Sequence, residues 1–204
     1  PGATLLYHGH RPYVQQKEFK EAMAFKGDIA VIHLGINDTD PRNWPNYRDE
    51  FVKDYLSIMD SLRAANPKVR FIIARMTPIA DRHPRFISGT KLWHGEIQTA
   101  IETVARVSGA ELIDFHEPMY PYPNLLPDAI HPNPEGAGIL AKTVYGGITG
   151  NYGGLKMSEL YTDYMVLQRN VPLDIHGTAN AGENVSVSIN GQTATAIANN
   201  QGKW

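Results

Sequence analysis

Three short apolar runs constrain the fold of this chain more than any other feature of its sequence. They are DIAVIHLG over residues 28–35, VRFIIARM over residues 69–76 and AELIDF over residues 110–115. Runs of this length without polar alternation are typical of strands that are buried on both faces of a sheet. We therefore expect these three runs to form neighbouring strands in the interior of one sheet.

Apolar residues at helical spacing fill the segments between the runs. The stripe between the first two runs consists of Tyr47, Phe51, Tyr55, Ile58 and Leu62. The stripe between the second and third runs consists of Trp93, Ile97, Ile101 and Val104, and Gly109 is placed to end that helix. A further helix is predicted to begin at Pro134. Strands that alternate with helices predict an α/β fold with a parallel sheet and right-handed crossovers.

The composition and the apolar pattern of the sequence change at ITGNYGGLKM, residues 148–157. Beyond this glycine-rich stretch, ENVSVSI alternates apolar and polar residues, and the following NG dipeptide predicts a tight hairpin. We place a domain boundary near residue 154, which gives an α/β domain over residues 1–150 and a partial, β-sandwich-like module over residues 155–204. The module is expected to be incomplete, because such sandwiches typically need about 100 residues.

The composition excludes several classes of function. The chain has no Cys, which excludes disulfides, thiolate metal sites and a cysteine nucleophile. Its net charge is -2 and its Lys and Arg residues are scattered, so no nucleic-acid partner is expected. No apolar run approaches the roughly 18 residues of a membrane-spanning helix, and no membrane partner is expected.

Two possible metal motifs fail on their spacing. DTDPRN begins like a calcium loop, but Asn43 and Asp49 stand where such a loop requires Gly and Glu. His131 and Glu135 lack the second His of a helix-borne zinc site. We therefore expect neither a metal nor another cofactor.

LPDAIHP, residues 126–132, is the first of two motifs that could carry chemistry. It follows the third predicted strand, and ligands of open parallel sheets bind beyond the carboxyl ends of the strands. Asp128 could orient one ring nitrogen of His131 and leave the other nitrogen free as a base. The alternative is that Asp128 caps a short turn and His131 is an ordinary surface histidine.

GIND, residues 35–38, is the second motif and follows the first predicted strand. Gly35 would let the backbone approach a ligand closely, and Asn37 could donate an amide N–H to a developing oxyanion. Asp38 is expected to brace the loop. The alternative is a polar turn after a strand, for which Asn and Asp are common residues.

These motifs resemble the sequence blocks of the SGNH (GDSL-type) hydrolases, in the order that the family shows them. GIND resembles its Gly-x-Asn-Asp block, DAIHP its Asp-x-x-His block, and PGAT at residues 1–4 its glycine block. The resemblance covers residues 1 to about 148 and implies a flavodoxin-like, three-layer fold. It implies that Gly2 and Asn37 donate to the oxyanion, that His131 is the general base and that Asp128 orients it.

The second half of the chain carries a separate resemblance. The segment from Tyr161 to Trp204 resembles the opening of the β-rich domain of sialate O-acetylesterase-like proteins. Together the two halves imply a serine ester hydrolase that removes O-acetyl groups from carbohydrate, of the acetylxylan esterase or sialate O-acetylesterase type. The resemblance also suggests a secreted or periplasmic location. The oligomeric state is not indicated.

The nucleophile of the resembled family is missing from these 204 residues. The family carries it in a Gly-Asp-Ser block upstream of the glycine block, and no serine here follows Gly-Asp; the serines are Ser57, Ser61, Ser88, Ser108, Ser158, Ser186 and Ser188. We interpret the chain as a piece of a longer protein that lacks its first strand. AVIHL should then expose an unpaired apolar edge, and the chain alone should be inactive and poorly soluble. The alternative is a non-catalytic, carbohydrate-binding or interaction protein that kept the fold and lost the serine.

Several residues near the two motifs are candidates for substrate contacts. Trp44 could stack on a sugar ring, and Arg75 could meet a carboxylate such as that of a sialic acid. His8 could line the rim of the site, and Gly35 could admit the ligand. Trp93 falls on the apolar stripe of its helix and is expected to belong to the core.

Overall fold

The computed structural model describes residues 2–84 and 91–204. Their contacts divide the chain into two compact units, the first ending at Leu140 and the second beginning at Ala141. This division falls inside a helix, whereas the domain boundary near residue 154 is inferred from composition and stays a prediction.

The first unit alternates helices and strands as the sequence predicts. In chain order, its elements are α1 (Lys17–Phe25), β1 (Ile29–Ile32), α2 (Trp44–Tyr47), α3 (Phe51–Ala65), β2 (Arg70–Arg75), α4 (Lys91–Ser108), β3 (Glu111–Asp114) and the first part of α5 (Pro134–Thr149). Short 3-10 helices cover Tyr13–Gln15, Ile36–Thr39, Arg48–Glu50 and Pro123–Leu125. The stripe from Tyr47 to Leu62 was expected to be one helix, but Tyr47 belongs to α2 and a 3-10 turn separates it from α3.

The three strands form one parallel sheet, which confirms the predicted α/β fold. β2 lies between β1 and β3, with Ile32 opposite Ile73 and Arg75 opposite Asp114. All three strands therefore end at the same edge of the sheet. The loops that carry GIND and LPDAIHP leave from that edge on either side of the loop that follows β2.

The core lies where the apolar faces of α3 and α4 meet each other and the sheet. From α3, Phe51, Tyr55 and Ile58 are fully buried. From α4, Ile97, Ile101 and Val104 are fully buried, and Trp93 packs partly buried against the same cluster. Gly109 follows α4 with φ +70°, the left-handed conformation predicted for a residue that ends a helix.

β1 is an edge strand within the described parts of the chain, where it pairs with β2 alone. Ile29 and Val31 on β1 are 40% and 39% exposed. Beside them runs a groove of about 380 Å³ that is lined chiefly by apolar residues, among them Phe25, Leu62 and Val69. The apolar edge expected from AVIHL is therefore present.

The second unit contains short antiparallel pairs. β4 (Lys156–Met157) pairs with β5 (Gly177–Thr178), and β6 (Asn184–Ile189) pairs with β7 (Gln192–Ile197) through the predicted hairpin. Both turn residues of this hairpin, Asn190 and Gly191, have positive φ. Ala179, Val185 and Ala198 form a small buried cluster in this unit. The assignment of this unit to a sandwich stays a prediction.

No helix within residues 2–84 and 91–204 is both long enough and apolar enough to cross a bilayer.

Candidate active site

Asp128 and His131 form a hydrogen-bonded pair in the loop between β3 and α5. The Nδ1 atom of His131 lies 2.6 Å from Oδ2 of Asp128. A carboxylate only accepts hydrogen bonds, so Nδ1 carries the proton and Nε2 of the neutral imidazole is left as an acceptor. The side chain of His131 is 72% exposed, so this nitrogen is accessible to a substrate or nucleophile.

The same carboxylate also builds the turn that carries the imidazole. Oδ1 of Asp128 accepts the backbone N–H groups of His131 at 2.7 Å and Ile130 at 3.0 Å. These bonds and the imidazole lower the pKa of Asp128 well below its usual range, the His131 N–H contributing most. The capping role that was an alternative to catalysis is therefore present together with the orienting role.

The turn itself is strained and anchored to its neighbours. Ala129 has φ +72°, a left-handed conformation that non-glycine residues rarely adopt. Its N–H donates to Leu126 O and its carbonyl accepts Ala80 N–H, each at 2.8 Å. Ala80 belongs to the loop after β2, so this bond joins the loops that follow β2 and β3.

Asn37 lies in the 3-10 turn that follows β1, next to the segment that begins at Gly2. Its Nδ2 donates one hydrogen to the carbonyl of Ala3 at 3.0 Å. A side-chain amide has two such hydrogens, so this bond orients the group and leaves a second donor. Gly2 has φ +77°, which a residue with a side chain adopts only under strain. The structure thus brings Gly2 and Asn37 to the same place, at the carboxyl edge of the sheet.

Buried polar side chains hold the segment that follows Gly2. Asp38 is fully buried and accepts the N–H groups of Leu5 and Leu6, one on each carboxylate oxygen. Burial raises the pKa of Asp38 to about 7, although both backbone donors oppose the rise. Asn43, also fully buried, accepts His10 N–H and donates to the carbonyl of Asn37, each at 2.9 Å.

The segment after β2 is held by two side chains from one face of α4. Gln98 accepts Met76 N–H at 2.8 Å and donates to Met76 O at 3.0 Å. One turn earlier, Nε2 of His94 lies 3.0 Å from the carbonyl of Thr77. Burial lowers the pKa of His94 to about 4, so the ring is neutral near pH 7 and donates to that carbonyl.

One predicted substrate contact, Trp44, is wrong, and another, Arg75, has partners within the protein and stays a prediction. Trp44 is only 3% exposed, packs edge-on against Phe51 and donates its indole N–H to Glu96 at 2.6 Å, so its ring offers no face to a sugar. Arg75 contacts Asp114 at 2.8 Å and Glu102 at 3.1 Å, so its guanidinium already has two carboxylate partners within the protein.

Gly35 and His8 have contacts that the sequence did not indicate. Gly35 has φ +123°, and a Cβ atom there would lie 3.0 Å from both Ile97 and Met76, so backbone conformation and packing both favour glycine. The predicted approach to a ligand stays a prediction. His8 is exposed and pairs through Nδ1 with Glu50 at 2.7 Å. Its place at the rim stays a prediction.

Sequence reasoning missed Asn43 and Gln98 as organisers of the site. The sequence predicted only that Asn43 is not part of a calcium loop, and it predicted no role for Gln98. A polar residue inside an otherwise apolar helix face is the signal that could have revealed Gln98. Of the serines, Ser61 and Ser108 bond to the carbonyls of their own helices, and Ser88 lies outside the described residues. Within the described ranges, no three His, Asp or Glu side chains are arranged to hold a metal ion.

The parallel sheet, the Asn37 turn and the Asp128–His131 pair are the features of a GDSL-type α/β protein. The chain belongs to the GDSL-like lipase/acylhydrolase family, which it matches over residues 1–139. It is 33% identical to an acetylxylan esterase of Xylanibacter ruminicola over 158 residues, which cover 69% of this chain and 32% of that protein. The chain therefore spans about a third of the length of this relative.

Solved structures of the same fold are similar to this chain. A GDSL-like lipase from Bacteroides thetaiotaomicron superimposes with a TM-score of 0.56 at 21% identity, over 72% of this chain and 71% of that one. An acetyl xylan esterase superimposes with a TM-score of 0.53 at 18% identity, over 72% of this chain and 77% of that one. At these identities the likeness shows the fold alone.

Proposed function

We propose that this chain forms most of the catalytic unit of a carboxylic ester hydrolase that removes O-acetyl groups from carbohydrate. The observation that carries the proposal is the Asp128–His131 pair, in which a 2.6 Å hydrogen bond holds the proton on Nδ1 and leaves Nε2 as a base. A base oriented in this way serves to deprotonate a hydroxyl nucleophile.

The nucleophile in this proposal is a serine that precedes residue 1 in the complete protein. Nε2 of His131 takes the proton of the serine hydroxyl as its oxygen attacks the acetyl carbonyl. The oxyanion accepts hydrogen bonds from the N–H of Gly2 and from the second amide hydrogen of Asn37. Collapse breaks the bond to the sugar oxygen, which takes the proton from His131 and leaves as the hydroxyl, and water activated by the same base then releases acetate from the acyl-serine.

The open edge of β1 supports an upstream strand that brings this serine to the site. Ile29 and Val31 are exposed there beside an apolar groove that an additional strand would cover. In a parallel arrangement, that strand would end at the same edge as β1, next to Asn37 and Gly2. In this proposal the 204 residues alone are inactive.

The choice of an acetylated sugar rests on relatives. The 33% identical protein from Xylanibacter ruminicola is an acetylxylan esterase. Acetylated xylan is therefore the first substrate to test, and an acetylated sialic acid is the second, because the segment from Tyr161 resembles the corresponding β-rich domain. We also propose a secreted or periplasmic location, which a signal peptide in the complete protein would support.

Acetate release by the complete protein tests the proposal. Wild-type protein should release acetate from acetylated xylan, and Asn37→Ala should lower kcat about a hundredfold or more, the usual cost of one oxyanion donor. Asn46→Ala is the control, because Asn46 is an exposed asparagine whose side chain bonds only to Arg42 O in the part of the chain described. Binding of the glycan without release of acetate would instead indicate a non-catalytic carbohydrate-binding protein.

A further inference from the structure

We infer that Asp38 is a positioning residue that sets the geometry of the oxyanion hole by holding the backbone of Leu5 and Leu6. This inference rests on the proposed function and assigns a role to a side chain that touches neither the substrate nor the nucleophile. The residues concerned lie on two segments that are more than 30 positions apart in the chain.

Both oxygens of the Asp38 carboxylate have a backbone donor. Oδ2 accepts Leu5 N–H and Oδ1 accepts Leu6 N–H, each at 2.9 Å. All three residues are fully buried, so water does not compete for these bonds. Because one carboxylate accepts hydrogen bonds from two consecutive N–H groups, the segment has little freedom to shift or rotate.

A second bond closes the link between the same two segments. Asn37, the neighbour of Asp38, donates from Nδ2 to the carbonyl of Ala3 at 3.0 Å. Two adjacent residues of the turn after β1 therefore hold Ala3 at one end and Leu5 and Leu6 at the other. We call these three hydrogen bonds, to Ala3, Leu5 and Leu6, the clasp. Because Gly2 directly precedes Ala3, the clasp determines how far the Gly2 N–H lies from the amide of Asn37.

Hydrogen bonds to Gly35 and Asn43 fix the turn that carries Asp38. Asp38 N–H donates to Gly35 O at 2.9 Å, and Asn43 donates to Asn37 O at 2.9 Å. Gly35 lies close to the core, since a Cβ atom added there would be 3.0 Å from Ile97 and Met76. The core thus fixes the position of Asp38, and Asp38 in turn fixes the position of the segment that begins at Gly2.

The chemistry requires acceptors on both sides of this side chain. In Asp38→Asn, one oxygen becomes an NH2 group that faces the N–H of Leu5 or Leu6, so a bond is replaced by a contact between two donors. The segment must then move away, although the volume of the side chain is unchanged. A displacement of about 1 Å at a catalytic group costs on the order of a hundredfold in rate.

Asp54 provides a comparison on the same segment. Its Oδ2 accepts Tyr7 N–H at 2.8 Å, which is a single bond one residue farther from Gly2. Asp54→Asn keeps an oxygen that can accept this N–H, so its effect on the oxyanion hole should be much smaller than that of Asp38→Asn. Asp60→Asn, a substitution at an exposed carboxylate of α3, is the control for removal of a charge.

The test measures steady-state kinetics on a small acetyl ester with the complete protein. Asp38→Asn should lower kcat about 10- to 100-fold with KM within about twofold of wild type, because the donors act on the transition state. Asp54→Asn should lose less than about threefold, and Asp60→Asn should be unchanged. If Asp38→Asn does not fold, Asp38→Glu replaces it in the test. Asp38→Glu keeps both acceptor oxygens but lengthens the side chain by one methylene, and it should also lower kcat.

Amide hydrogen exchange of Leu5 and Leu6 gives a readout that needs no turnover. Exchange at these two positions should accelerate in Asp38→Asn and not in Asp60→Asn. Unchanged exchange, or a kcat within threefold of wild type in a folded Asp38 variant, would overturn the inference. If wild-type protein releases no acetate while exchange responds as expected, the proposed function fails, and with it the catalytic part of this inference, whereas the clasp itself stands.

Discussion

Replacing Asp128 by Asn separates the two tasks of this side chain. In the native turn, Oδ1 accepts the N–H groups of His131 and Ile130, and Oδ2 accepts the Nδ1 proton of His131. Asn can keep the backbone bonds through its own oxygen, so the turn should persist. Its NH2 group, however, must donate toward Nδ1, and a neutral imidazole then carries its proton on Nε2, where it cannot accept one from the proposed serine.

The magnitude follows from the geometry and exposure of the pair. The same change in a buried Ser-His-Asp triad lowers kcat about 10⁴-fold through the wrong tautomer. Here the two side chains are 57% and 72% exposed, so water competes for the ring nitrogens and the tautomer is held less firmly. We expect a loss of about 10³-fold in kcat, or about 4 kcal/mol of barrier, with little change in stability.

Two measurements check this expectation in the complete protein. Acetate release gives kcat, and the ¹⁵N chemical shifts of the His131 ring give the tautomer. Asp128→Ala, which removes the backbone bonds as well, should also accelerate amide exchange at Ile130 and His131, whereas Asp128→Asn should not. The reasoning fails if Asp128→Asn retains more than a tenth of the wild-type kcat, or if its Nε2 remains unprotonated.

Three further predictions concern stability. Gln98→Ala leaves the buried N–H and C=O of Met76 without partners and should cost about 2–5 kcal/mol in denaturant unfolding, whereas Thr99→Ala on the exposed face should cost less than about 1. The folded state holds His94 neutral with a pKa of about 4, so the contribution of His94 to stability is complete above about pH 6.5 and is lost toward pH 4, by at most about 3 kcal/mol. His94→Gln should flatten this dependence, and an unchanged slope would refute its assignment to His94. Ala129→Gly should stabilise the fold by up to about 1 kcal/mol, because it relieves a positive φ, and should therefore raise the melting temperature; a lower melting temperature would show that the turn is not strained.

The elements that the sequence predicted are those whose signal is local. The apolar runs at residues 29–32, 70–75 and 111–114 became the parallel strands, because each run is long enough for one strand and is followed by a helical stripe. The Asn-Gly hairpin formed at residues 190–191 for the same reason. The Asp128–His131 contact was also within reach of the sequence, since a spacing of three residues in a turn brings the two side chains together.

The prediction that failed, and the contacts that the sequence did not indicate, depend on how distant segments pack. The sequence does not show that Trp44 and Arg75 have partners within the protein. In the folded chain Trp44 bonds to Glu96, and Arg75 pairs with Glu102 and Asp114. Ile97 of α4 and Met76 after β2 lie beside Gly35, a packing contact that the sequence did not indicate. Burial of a side chain is a property of its surroundings, which a single position in the sequence does not encode.

The sequence by itself determined that this protein alternates strands and helices and carries an Asn and an Asp–His pair after two of its strands. Periodicity and spacing are sufficient for this, because they depend on the chain within a few residues. Only the tertiary structure decided that Asp38 accepts Leu5 and Leu6 across 32 and 33 positions, and that Gln98 from α4 fixes Met76. Those bonds connect segments that meet only after the core has formed, and the geometry of the candidate site depends on them.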